Sequence, residues 1–139
     1  MNLKRLNESD IEFGKLIGKG TFGEVVSGRL KLNNQTSIPI AIKKIKHFND
    51  EFEIIDFLKE SIFLNLLDHQ NIIKFNGICF DNNDLNKPKF IAIEYMNKGD
   101  LLRFVRENKI KFEKAVQICL NIAKACEYLE QIELVHRYL

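Results

Sequence analysis

Ile17-Gly-Lys-Gly-Thr-Phe-Gly-Glu-Val-Val26 is the stretch on which the reading of the whole chain turns. Gly18, Gly20 and Gly23 stand at the G-x-G-x-x-G spacing, and Val25 follows two residues after the last of them. A turn without side chains can bring its backbone N–H groups close to a phosphate, which a Cβ would obstruct. The same spacing also opens the strand–turn–helix of dinucleotide-binding folds, so the residues that follow must decide. Glu24-Val25-Val26-Ser27-Gly28-Arg29-Leu30 is β-branched and strand-like, not helical. A strand on either side makes the glycine run a hairpin flap over a nucleotide, and the next strand should carry a lysine.

Working outward, Ile11 to Ile17 alternates as a strand leading into the glycines, and Glu24 to about Leu32 returns. Asn33 to Ser37 is a turn cluster, and Pro39 marks the entry of a third strand, Ile38 to Ile45. Within it, Ile40-Ala41-Ile42-Lys43 alternates so that small Ala41 shares a face with Lys43, the face a glycine hairpin would cover. The period then changes. Phe52, Ile55, Leu58, Ile62 and Leu66 recur at three or four, predicting a helix from an Asp50 N-cap to Leu67 with Glu60 in its middle. Phe57, Phe63 and Leu64 broaden its apolar face. Asp68-His69-Gln70-Asn71 breaks the helix, with His69 read as a structural cap of the turn. Strands are expected over Ile72 to Phe80 and Phe90 to Glu94, then a linker to Asp100 and helices over 101–107 and 112–132. Met1 to Asp10 reads as a polar, loose lead-in.

A chain of 139 residues with 45% hydrophobic and 29% charged residues suggests one domain with a buried core. A formal net charge of +2 is too small to argue for nucleic acid or an anionic membrane as partner. No apolar run has the length of a membrane span, and the first residues lack a signal-peptide core. Cys79, Cys119 and Cys126 show no metal spacing and sit among apolar residues. They read as buried free thiols, which fits a reducing cytoplasm.

In this order, the glycine loop, the lysine strand, the mid-helix glutamate, His69-Gln-Asn-Ile72, Glu94-Tyr-Met96 and Val135-His-Arg137 resemble the first half of a protein kinase domain. Phe57-Leu-Lys-Glu60 and Asn76-Gly-Ile-Cys79 are similar to tyrosine kinases and tyrosine-kinase-like enzymes. The resemblance covers Ile11 to Leu139 and implies an α+β fold. Its N-lobe, about 11–96, would hold an antiparallel five-stranded sheet plus one helix. The first helices of an incomplete C-lobe, about 97–139, would follow, after a lead-in at 1–10. It also implies an ATP site that includes Ile17, Lys19, Thr21, Phe22 and Glu24, with Gly18, Gly20 and Gly23 over the phosphates. Val25 and Ala41 would pack on the adenine, and Lys43, held by Glu60, would reach the α- and β-phosphates. Ile93 would be the gatekeeper, and the backbone at Glu94 and Met96 would meet the adenine edge. Leu64, Phe75 and His136 would belong to a hydrophobic stack.

The pattern breaks at Tyr138, where the family's His-Arg-Asp places the aspartate that accepts the substrate's proton. A phenol with a pKa of about 10 is a poor acceptor at neutral pH. The family's magnesium-binding Asn and Asp-Phe-Gly do not follow within the 139 residues. The expectation is therefore a catalytically inactive, pseudokinase-like protein with weak ATP binding and no magnesium site. Two alternatives stand beside it. One is an interaction module that self-associates or docks a partner through the 112–132 helix, read as apolar on most sides. The other is the N-terminal fragment of a longer, active kinase.

Overall fold

The computed structural model describes residues 3–20, 23–45, 51–84 and 86–134. It divides into two compact units, Met1–Leu67 with Lys74–Tyr95, and Asp68–Ile73 with Met96–Leu139.

The first unit contains β1 (Ile11–Gly20), β2 (Gly23–Lys31), β3 (Ser37–Ile45), α1 (Glu51–Leu66), β4 (Phe75–Phe80) and β5 (Pro88–Glu94). The five strands form one sheet in the order β1-β2-β3-β5-β4, every neighbouring pair antiparallel. The fold is α+β, as the alternation and the helical period require. Two-residue periodicity sorts the side chains to two faces. Val26, Leu30, Ile40, Ile42, Phe90 and Ala92 cluster on one, joined by Ile11 and Cys79. On the other, Phe75, Ile78 and Ile91 meet Phe57 of α1, with Leu58, Leu64 and Ile93 half-buried around them. Ile40, Ile42, Ile78 and Ile91 are fully buried, each stabilising the sheet by about 1.5–3 kcal/mol. The expected Asp50 N-cap of α1 lies outside the described residues.

Three expectations need correction here. The fourth strand begins at Phe75 and not at Ile72, because the preceding residues are held in a turn. There His69 Nδ1 accepts from the Asn71 N–H (3.2 Å) and the His69 carbonyl accepts from the Ile72 N–H (3.0 Å). The lead-in is not loose: Leu6 N–H donates to the Ile78 carbonyl (2.8 Å) and Ile78 N–H to the Lys4 carbonyl (2.9 Å). An edge strand offers unpaired backbone groups, and this segment takes them up. Finally, only Cys79 is a buried thiol, and its burial pushes its pKa up; Cys119 is exposed and Cys126 half-buried.

The second unit contains α2 (Leu101–Glu107) and α3 (Phe112–Gln131). Asp100 caps α2, its carboxylate accepting from the Arg103 N–H at 2.8 Å. Tyr128 of α3 stacks on His69, ring centroids 5.0 Å apart, and its hydroxyl accepts from the Asp68 N–H (3.1 Å). Asn71 Nδ2 donates to the Asn121 carbonyl at 3.0 Å. α3 is not apolar on most sides. Glu113, Gln117, Asn121, Lys124 and Gln131 recur at three, four and seven residues and give it a polar side. Phe112, Val116, Leu120 and Ile122 are nonetheless exposed.

Candidate functional site

The glycine stretch is a hairpin paired almost to its tip, with Gly18 opposite Val25, Lys19 opposite Glu24 and Gly20 opposite Gly23. Thr21 and Phe22 lie outside the described residues. The glycines are there for different reasons. Gly23 has φ +148°, and a Cβ there would stand 2.0 Å from the Lys44 carbonyl, so the crossing of hairpin and β3 demands it. At Gly18 a Cβ would meet only the Val25 side chain at 3.7 Å, an ordinary contact. The fold itself does not require glycine at that position. Lys19 and Glu24 approach to 3.9 Å on the hairpin surface, and Ile17 is half-exposed.

The base of the hairpin is fixed by residues that the sequence reading passed over. β1 bulges after Phe13, and Ser27 of β2 closes the bulge. Its Oγ accepts from the Lys15 N–H (3.0 Å) and donates to the Lys15 carbonyl (3.2 Å). The Phe13 ring stands edge-on to Phe90, centroids 5.5 Å apart, with Lys44 Nζ 4.1 Å from its centre. A serine in a β-branched strand was the only signal for the first feature, and sequence offers none for the second.

Opposite the hairpin, Val25 pairs with Lys43 and Lys43 with Ile91, while Ala41 lies between Ser27 and Ile93. Val25, Ala41, Lys43 and Ile93 therefore share one face of the sheet. Lys43 Nζ donates to both carboxylate oxygens of Glu60, each at 2.7 Å. The lysine side chain is 24% exposed and the glutamate 42%, so the pair is open to a ligand. On the buried side of α1, the next residue, Ser61, is fully buried and donates to the Phe57 carbonyl at 2.8 Å.

A family model described as protein tyrosine and serine/threonine kinase matches residues 11–139. The chain belongs to the protein kinase family. It is 38% identical over 136 residues to mouse tyrosine-protein kinase Fer, an alignment covering 96% of this chain and 16% of Fer. It is 34% identical to the rat proto-oncogene tyrosine-protein kinase ROS, covering 89% of this chain and 6% of ROS. Chicken ephrin type-A receptor 5 is 38% identical, with 98% of this chain and 13% of the receptor covered. These relatives place the chain on the tyrosine-kinase branch of the family.

They also correct the expectation of an inactive protein, because the relatives it matches carry the names of tyrosine kinases. The chain spans 16% or less of those three proteins. Kinase motifs that would follow Leu139 fall outside the compared stretch, and their absence from it says nothing about activity. Tyr138 and His136 lie outside the described residues.

Elsewhere in the chain, Leu64 and Phe75 share the cluster beneath α1, with Ile93 half-buried beside them. Glu94 N–H donates to the Lys74 carbonyl (2.8 Å), and the Glu94 carboxylate accepts from the Lys74 N–H (3.2 Å). Met96 belongs to the second unit, is exposed, and accepts from the Gly99 N–H at 3.1 Å. Among the described residues, no group of three or more His, Cys, Asp or Glu side chains is placed to hold a metal ion. Nor, among them, is any helix long and apolar enough to cross a membrane. A cavity of about 450 Å³ lies away from this site, at the β2–β3 turn. Several of its polar side chains are engaged: Asn33 Oδ1 accepts from the Gln35 and Thr36 N–H groups, and Lys31 pairs with Glu12.

Proposed function

We propose that this chain is the ATP-holding part of a protein tyrosine kinase, with the β1–β2 hairpin and Lys43 gripping the phosphates for transfer to a tyrosine hydroxyl. The observation that carries the reading is the Lys43–Glu60 pair at 2.7 Å on the same face as Val25 and Ala41. A lysine fixed by a carboxylate presents a compact positive charge at a defined point, which suits a phosphate. Gly18 supports it, because packing does not explain a glycine there and a close approach of backbone N–H groups to an anion does. Bound ATP would supply the transferable phosphoryl group, while this chain's residues place it. The exposed, unpaired Cys119 thiol suits a reducing, cytoplasmic setting for this part of the protein.

An acyl-phosphate derivative of ATP, which acylates a lysine lying against its phosphates, tests the reading. Mass spectrometry should find the acyl group on Lys43, and excess ATP should suppress it. Labelling that spreads over surface lysines and ignores ATP would refute the reading.

A second reading concerns α3, whose exposed Phe112, Val116 and Leu120 stand four residues apart. We propose that two copies of the 139-residue chain associate through this stripe.

A further inference from the structure

We propose that residues 3–8 form a strap that positions Glu60, and that releasing the strap weakens the hold of Lys43 on nucleotide. The second half rests on the ATP reading above; the first does not.

α1 packs on the sheet chiefly through β4 and β5, and β4 is an edge strand. The strap closes that edge. Lys4 is bonded on both sides of it, its carbonyl accepting from the Ile78 N–H (2.9 Å) and its own N–H donating to Asn65 Oδ1 (3.3 Å). Asn65 stands in the last turn of α1. One residue thus joins the helix to the sheet edge. The two apolar residues of the strap fall on opposite faces, Leu3 in the cluster beneath α1 and Leu6 in the other. Beyond them, Glu8 pairs with Lys89 of β5 at 2.5 Å.

Gly77 shows that β4 is shaped to receive this segment. Its φ is +143°, and a Cβ would stand 2.7 Å from Leu6 Cγ and 2.8 Å from the Lys4 carbonyl. Leu6 can approach the strand only because position 77 has no side chain.

Glu60 lies five residues before Asn65, or about 7.5 Å along the helix axis. A tilt of α1 at its strapped end is therefore felt at the carboxylate. The Lys43–Glu60 contact at 2.7 Å ceases to be a hydrogen bond once stretched to about 3.6 Å, so a shift near 1 Å breaks it.

The test compares Leu6→Asp, Leu6→Ala and Leu6→Met in the 139-residue chain, reading amide hydrogen exchange and ATP affinity. Leu6→Asp should deprotect Ile78 and α1 together, and by more than the β2–β3 amides whose cluster Leu6 also touches, while Leu6→Met should retain both. In the presence of Glu60, Leu6→Asp should lower ATP affinity at least threefold; in a Glu60→Gln background it should lower it no further. That non-additivity separates positioning from loss of stability. Should Leu6→Asp fail to fold, Leu6→Ala and Glu8→Gln make the same comparison at smaller amplitude. Deprotection of Ile78 with α1 unchanged would overturn the strap, as would losses that simply add. If no form bound ATP, the nucleotide reading would fall, and exchange alone would decide the strap.

Discussion

Replacing Lys43 by methionine should weaken ATP binding by about 10–150-fold, and replacing Glu60 by glutamine by no more than about fivefold. The asymmetry follows from what each residue does. In the proposed function Lys43 contributes a charge-assisted hydrogen bond to phosphate, a contact of about 1.5–3 kcal/mol, where 1.4 kcal/mol is tenfold. Glu60 holds the ammonium from behind through two 2.7 Å contacts, but its side chain is 42% exposed and solvent screens the pair. Such an ion pair contributes about 0–1 kcal/mol, and glutamine retains an acceptor of the same shape. Because Glu60 acts through Lys43, the double variant should be no worse than Lys43→Met alone. Folding should be little changed, since the carboxylate that Lys43→Met leaves behind remains solvated. Calorimetric titration of ATP into the four forms, with circular dichroism to confirm the fold, gives all the numbers. Equal affinity of wild type and Lys43→Met would remove Lys43 from the site. Losses that add would refute the claim that Glu60 works through the lysine.

Two further predictions follow from charge and from exposed apolar surface. The hydrogen bond to Glu8 holds the Lys89 pKa above its ordinary value. Its contribution is therefore complete below the unfolded lysine pKa of about 10.4 and is lost as pH rises through the folded value. Both side chains are more than a third exposed, so the effect is at most about 1 kcal/mol. Urea midpoints should favour wild type over Glu8→Gln at pH 9, and the difference should shrink as the pH is raised beyond the ordinary lysine range; a constant difference would refute the assignment. For α3, sedimentation at micromolar concentration should show a dimer that Phe112→Ser with Leu120→Ser disperses. Association untouched by both changes would place the contact elsewhere.

The glycine hairpin and the face that carries Lys43 were more legible than their supports. Glycines at Gly18, Gly20 and Gly23 followed by a β-branched run, then Ala41 and Lys43 two apart, are local patterns with a single geometric meaning, and the sheet register bears that geometry out. The strap was illegible because its two apolar residues, Leu3 and Leu6, show no period. Its docking also depends on the backbone angle of Gly77, more than seventy residues away. The thiols were misread for another reason: apolar neighbours along a helix say little about which side a given residue faces. Cys119 is exposed on the same helix that buries Leu129. The polar side of α3 was present in the sequence, but it is lost when only apolar residues are counted.

The strand order β1-β2-β3-β5-β4 also implies an order of assembly. β1, β2 and β3 follow one another as a meander, and β4 and β5 are sequential partners, so both pieces close short loops. Only the β3–β5 seam, where Lys43 meets Ile91, must wait for the chain on either side of α1 to be gathered in. Loop closure of that length costs more entropy and is slower. The hypothesis is that the glycine hairpin and Lys43 form early, and that the helix bearing Glu60 locks on last. In pulse-labelled exchange, β2–β3 amides would then gain protection before those of α1; the reverse order would refute it.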